Sequence, residues 1–279
     1  AGASVQTLGV VVTANNVTIN GCKFSGNIGS DAFINLDNDV AHSGISLTNN
    51  IFDGAITTWH LIRVGGNKTN LTITGNTFTG STAGNDNALI YLGVAGSNIN
   101  ISSNSFGAFP STYGFYVIQH NASGGTRTTG ISITNNTINF TGHTNSSEGI
   151  QIRYADNVQI NNNTLTGTAT ADVYQVGIDV ASVTSTGGQS TINGNTVSGF
   201  SQNIRIVRWA AIDGFADGVN VIGNTSTNGA AYTGYASTGT GLYLAGTNLL
   251  VQNNEFSGNA TQGIYVPATV PDGAPNNIT

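Results

Sequence analysis

Methionine is absent from this chain of 279 residues; cysteine occurs once, tryptophan twice and proline four times, and charged side chains make up only 7%. Each shortage excludes something. A single thiol, Cys22, permits no internal disulfide. So few Lys, Arg and Glu leave no long charged helix or coiled coil. Seven Lys and Arg against 13 Asp and Glu give a net charge of −6, which argues against gripping a phosphate backbone, so no nucleic-acid partner is expected. No apolar run reaches the roughly 18 residues a membrane-spanning helix needs, and no membrane span is expected. Disorder is not expected either, because 38% of the residues are hydrophobic and the charge is low. What is abundant is 38 Gly, 37 Asn and 37 Thr. The chain begins at Ala1 and ends on Asn277-Ile278-Thr279, which reads as a phrase cut short. The expectation is one domain, 1–279, excised from a longer secreted chain.

One phrase recurs nine times: aliphatic, polar, aliphatic, two polar or Gly positions, Asn, any residue, then an apolar residue. Leu71-Thr-Ile-Thr-Gly-Asn76-Thr-Phe78 and Ile131-Ser-Ile-Thr-Asn-Asn136-Thr-Ile138 show it most clearly. The key position is Cys22 and then Asn50, Asn76, Asn104, Asn136, Asn163, Asn195, Asn224 and Asn254, at intervals of 26 to 32 residues. Self-similarity at this period predicts a solenoid. A second short alternating strand, usually opened by Gly, recurs as well, as in Gly149-Ile-Gln-Ile152 and Gly177-Ile-Asp-Val180. Alternation of period two buries one apolar row per strand. The fold expected is therefore all-β: a right-handed parallel β-helix of three strands per turn, with about ten coils. Its repeated Asn would form a stacked hydrogen-bonding ladder that satisfies turn backbone. Cys22, at the first rung, is expected to pack as a small buried hydrophobe.

The phrase resembles the parallel β-helix repeat of the pectate-lyase-like superfamily, over essentially the whole chain. That resemblance implies the fold and leaves the activity open, since polysaccharide lyases, uronan epimerases, pectin hydrolases, phage tailspikes and bacterial surface proteins all share it. It also implies that a glycan groove would lie on the face of the Gly-opened strand.

That face is where the sequence concentrates its chemistry. Its outward column is read as Val11, Asn35, Arg63, Tyr91, Tyr116, Gln151, Asp179, Arg205, Tyr243 and Tyr265, with Arg153, Tyr154, Arg208, Trp209, Trp59 and His60 nearby. Arg63, Tyr91, Tyr116, Arg208, Trp209, Tyr243 and Tyr265 are the glycan-binding candidates, because sugar CH faces stack on aromatic rings. Arg153, Tyr154, Asp179 and Arg205 are the catalytic candidates should the protein be an enzyme: uronan lyases pair a neutralising cation with a base. Asp37 and Asp39, in a loop with Asn38 between them, resemble part of a Ca²⁺ site. No cofactor is required, and Ca²⁺ is the one ion to consider. The other strands present mostly Thr, as at Thr77, Thr137, Thr164, Thr196 and Thr225, and nothing reactive. No paired Asp motif is present for inverting hydrolysis, and Glu148 is read as a loop residue.

The leading expectation is a non-catalytic structural or adhesive module of a large secreted bacterial cell-surface protein, a surface-layer, adhesin or fibre segment with capacity for glycan. Its partners would be polysaccharide, neighbouring surface subunits or further copies of itself. The alternative is a polysaccharide lyase or epimerase acting on a uronic-acid polymer.

Overall fold

A computed structural model describes residues 9–26, 32–36, 40–53, 60–79, 87–93, 96–107, 114–122, 127–184, 188–207 and 216–267, with the backbone of 27–28, 55–56 and 81–82. Alternation is expressed as expected. In Ile34–Leu36 and Ile62–Val64 the aliphatic residues are buried, and Asn35 and Arg63 between them are half-buried. Every pairing between the described strands is parallel, and no helix occurs among the described residues. The molecule is a parallel β-solenoid.

Asn27–Ile28, Ala55–Ile56 and Ser81–Thr82 stack as a short sheet, and Ala216–Asp217 with Gly246–Thr247 as another; most of the described strands fall into three stacked series. The first runs from Val10–Val11 through Ile34–Leu36, Ile62–Val64, Asn87–Leu92, Phe115–Asn121, Ser147–Asn161, Gln175–Thr184, Gln202–Val207 and Thr240–Leu244 to Gln262–Tyr265. The second starts at Thr18–Asn20 and ends at Leu250–Gln252. The third starts at Lys23–Phe24 and ends at Glu255–Ser257. Ser147–Asn161 serves two series at once, pairing with Gln175–Thr184 through its first part and with Ser190–Asn193 through its last.

Between the series lies an apolar interior. Ile62, Ile90, Ile118, Ile150, Ile178, Ile204 and Leu242 form one fully buried column in strand register, each worth about 2 kcal/mol of burial. Phe24, Phe52, Phe78 and Phe106 form another, with successive ring centroids 4.9, 4.7 and 4.5 Å apart and nearly parallel planes. The solenoid amounts to about seven turns rather than the ten expected. Strand pairing does continue at both ends. There, however, Val10, Val11 and Ile264 are exposed and Ile19, Phe24, Val251 and Phe256 only partly buried, so the terminal rungs enclose no sealed core.

The ladder forms from Asn50 to Asn254. From Asn76 onward the Asn Oδ1 accepts from both the backbone N–H and the Nδ2 of the Asn one rung earlier, as where Asn76 N and Nδ2 donate to Asn104 Oδ1 at 2.9 and 3.0 Å. The amide in turn donates to a strand carbonyl, Leu47 O in the case of Asn76. The residue before each rung has positive φ in all nine repeats: Gly21, Asn49, Gly75, Ser103, Asn135, Asn162, Gly194, Gly223 and Asn253. This is why the position is Gly or Asn eight times of nine, the residue types that enter the left-handed region at least cost. Cys22 departs from expectation. Its N–H donates to Asn50 Oδ1 at 3.0 Å, as an Asn there would, but its side chain is exposed, and among the described residues no earlier rung stacks on it.

Candidate functional site

Strand register sets the outward column of the first series as Asn35, Arg63, Tyr91, Gln119, Gln151, Asp179, Arg205, Tyr243 and Tyr265. One position differs from the sequence reading. Tyr116 sits three residues before Gln119, opposite Ala88 and Glu148, because Val117 rather than Gly114 is in register with Gly149. Glu148 is likewise no loop residue: it lies in the strand Ser147–Asn161, beside Tyr116.

These two shifts create the centre of the site. The guanidinium of Arg205 donates side-on to Asp179, Nε to Oδ1 at 2.8 Å and Nη2 to Oδ2 at 2.7 Å. The same Nη2 reaches Glu148 Oε1 at 3.1 Å, and Nη1 donates to the Tyr174 hydroxyl at 2.6 Å. Tyr174 donates onward to Gln202 Oε1 at 2.9 Å. Gln151 Nε2 donates to the second oxygen of Glu148 at 2.7 Å, and Gln151 Oε1 accepts from Gln119 Nε2 at 2.9 Å. Asp179 is fully buried, whereas the Glu148 side chain keeps 12% of its surface.

The electrostatics follow from that packing. Burial, reinforced by the negative charge of Asp179, pushes the Glu148 carboxyl up to about 7 despite Arg205, Gln151 and Arg153. Burial pushes Tyr174 up to about 12, so its hydroxyl stays neutral. Burial alone would lower Arg205, but the carboxylates of Asp179 and Glu148 outweigh it and hold the guanidinium well above its ordinary value. Burial and the neighbouring Tyr265 raise Tyr243.

Three cavities adjoin this network. One of about 360 Å³ is lined by Tyr116, Glu148, Tyr174, Gln202, Arg205, Val207, Tyr235, Ser237 and Tyr243. Another of about 370 Å³ shares Tyr116, Glu148 and Tyr174 with it and adds Gly114, Phe115 and Asn145 to Ser147. The third, about 340 Å³, is lined by His60, Arg63, Asn87, Tyr91, Tyr116, Gln119, Asn121 and Arg153. Tyr116 lines all three, so they adjoin there and form a segmented groove along the face. At one end His60 stacks flat on Tyr91, 4.3 Å between centroids; at the other Tyr243 and Tyr265 lie 5.2 Å apart.

The sequence candidates therefore divide. Arg63, Tyr91, Tyr116, Arg153, Arg205 and Tyr243 line the groove, with Tyr265 beside it and Asp179 behind it. Tyr154 lines none of the three cavities. Arg208, Trp209, Trp59, Asp37 and Asp39 lie outside the described residues, and among the described residues no cluster of His, Cys, Asp or Glu could hold a metal ion. His120 is buried, with both ring nitrogens engaged, by Arg153 O at 2.5 Å and Thr128 Oγ1 at 2.7 Å. Asp156 pairs with Arg127 at 2.9 Å, away from the groove. The residues missed by sequence were Glu148, Tyr174, Gln202 and Tyr235. One signal was available: Glu148 is one of only two glutamates in the chain.

No family model, curated protein or solved structure matches the chain. The likeness to the pectate-lyase-like superfamily thus rests on the repeat phrase, and the groove has to be read on its own chemistry.

Proposed function

We propose that the protein is a glycan-binding structural or adhesive module of a large secreted bacterial cell-surface protein. It holds a linear polysaccharide along the first-series face, and neighbouring surface subunits or further copies pack elsewhere. In this reading the solenoid is a right-handed β-helix with three strands per turn, as in the pectate-lyase-like superfamily; parallel strand crossovers are right-handed in about 98% of cases. The observation that carries the reading is the groove that continues across Tyr116, with tyrosines at intervals along a face one strand spacing per rung. A non-catalytic role is supported by Arg205, whose charge is met by Asp179 and Glu148 although it lines the groove. The test is affinity electrophoresis against a panel of soluble polysaccharides. A ligand in the panel retards the protein, and Tyr116→Ala weakens retardation by roughly three- to tenfold, the worth of one aromatic stack. A Tyr116→Ala protein that binds like the wild type would sink the reading.

One observation favours the second reading, a lyase or epimerase. Glu148 presents to the groove a carboxyl that titrates near neutrality, the property general acid–base chemistry needs. If the bound polysaccharide is cleaved or epimerised, and Glu148→Gln stops the reaction while binding persists, the module is an enzyme.

A further inference from the structure

The cavity at the Arg205 end of the groove sets aromatic walls over a floor whose charge is already balanced. Tyr116, Tyr174, Tyr235 and Tyr243 line it, together with Glu148 and Arg205. Tyr235 is 60% exposed although its side chain is large and aromatic. It packs against Tyr174 with 5.2 Å between ring centroids and against Tyr232 with 5.7 Å. Hydrogen bonds hold this wall in place without a ligand. Thr233 donates both its N–H and its hydroxyl to Ala171 O at 2.9 Å, and Gln202 Nε2 donates to Ser237 O at 3.1 Å. The Tyr174 ring is fixed through its hydroxyl between Arg205 and Gln202. A wall formed in advance spares the ligand the entropy of ordering it.

Charge decides what such a wall can hold. Among the described residues, Arg205 is the one cation that lines this cavity. It makes four hydrogen bonds within the protein, three to Asp179 and Glu148 and one to Tyr174. Arg153, the other cation that acts on Glu148, lines the cavity at the His60 end instead. One guanidinium is thus set against two carboxyl groups, and a ligand carboxylate placed here would meet Glu148 with no cation reserved for it. An uncharged pyranose meets no such repulsion. Its CH face suits a tyrosine ring, and its hydroxyls can donate to or accept from the partly open carboxyl of Glu148. We propose that this cavity is a subsite for an uncharged sugar residue of the bound glycan and discriminates against uronic acids. The proposal rests on the glycan-binding reading and names its ligand class. It sides against a uronan lyase, whose substrate has to bring its carboxylate to a neutralising cation.

Polygalacturonate and the galactan obtained by reducing its carboxyl groups share one linkage and differ only in that group; alginate and its reduced form make a second such pair. Both pairs are compared by isothermal titration calorimetry at physiological ionic strength and pH 8, where Glu148 is ionised. The expected result is a reduced, uncharged polymer bound about tenfold or more tighter than its acidic parent, since like charges brought together in an interface cost at least that. Tyr235→Ala, at an exposed position where folding is not at stake, weakens binding of the uncharged polymer by roughly three- to tenfold. Glu148→Gln removes the charge and narrows the ratio between the two polymers to within about threefold. A purely structural role for Glu148 would shift both polymers alike and leave the ratio as it was. An acidic polymer bound as tightly as its reduced form would overturn the uncharged-sugar subsite and leave the glycan reading standing. So would an unchanged affinity in Tyr235→Ala. Absence of binding to every polymer, with circular dichroism showing a folded protein, would overturn the glycan reading itself.

Discussion

Replacing Arg205 by leucine isolates what the charge network contributes. Arg205 donates four hydrogen bonds, two of them to a carboxylate with no access to solvent. Arg205→Leu therefore leaves Asp179 as an uncompensated buried charge beside Glu148. Breaking a buried ion pair from one side costs on the order of 3–5 kcal/mol, much of it the penalty on the abandoned partner. The companion variant Asp179→Leu/Arg205→Leu removes both charges, lets Glu148 take up its proton, and should recover most of that loss. Urea unfolding followed by circular dichroism gives the cycle. Because a solenoid need not unfold as one unit, amide exchange across Gln175–Thr184 and Gln202–Val207 locates the effect. A single-variant loss under about 1 kcal/mol, or a double variant as unstable as the sum of its parts, would refute the view that desolvated charge governs this part of the face.

Three further outcomes follow from the same geometry. Glu148 titrates at about 7 in the fold and near 4.5 in the unfolded chain; the folded protein holds the proton more tightly, so this contribution is complete below pH 4.5 and is lost as pH rises to about 7. The change is on the order of 3 kcal/mol, shared with Asp179 as a coupled pair, and Glu148→Gln should flatten that stretch of a stability–pH curve. Asn136→Ala deprives Asn104 N and Nδ2 of their acceptor and Ile101 O of its donor, and should cost about 3 kcal/mol or more in denaturant unfolding. Asn254→Ala, at the half-open last rung, should cost clearly less. Cys22→Asn adds an Nδ2 donor toward Asn50 Oδ1, which already accepts the residue-22 N–H, and should raise stability by about 1 kcal/mol; unmodified Cys22, being exposed, should react with a thiol reagent in the native state.

Much of the fold was legible because its determinants are local and repeated. A single Asn per repeat, preceded by a Gly or Asn in the left-handed region, marks a turn whose backbone must be satisfied identically each time, so the ladder could be read residue by residue. The number of sealed turns could not, since it depends on whether Val10, Ile19, Phe256 and Ile264 find neighbours above and below. The site was legible where it follows strand alternation, as at Arg63, Tyr91, Asp179, Arg205 and Tyr243. It was illegible where strands extend beyond the repeat phrase. Tyr116 and Glu148 lie upstream of the recurring Ile-x-Val core of their strands and pair with one another, a relation no periodicity of single residues reveals. Tyr174 and Tyr235 enter from connecting segments, whose course is set by packing.

The interior aromatic column carries one more consequence. In register it reads Phe24, Phe52, Phe78 and Phe106, then Ile138, Leu165, Val197, Ser226 and Phe256. A chain of near-identical coils can mispair by one whole coil at little local cost, because every backbone bond re-forms one step along. Here such a slip would push Phe106 into the space cut for Ile138, or leave the space of Phe106 half filled by Ile138. The step from Phe106 to Ile138, and the later one from Ser226 to Phe256, thus mark the register of the coils on either side of them, so the exposed Thr rows, monotonous as they are, do not have to supply it.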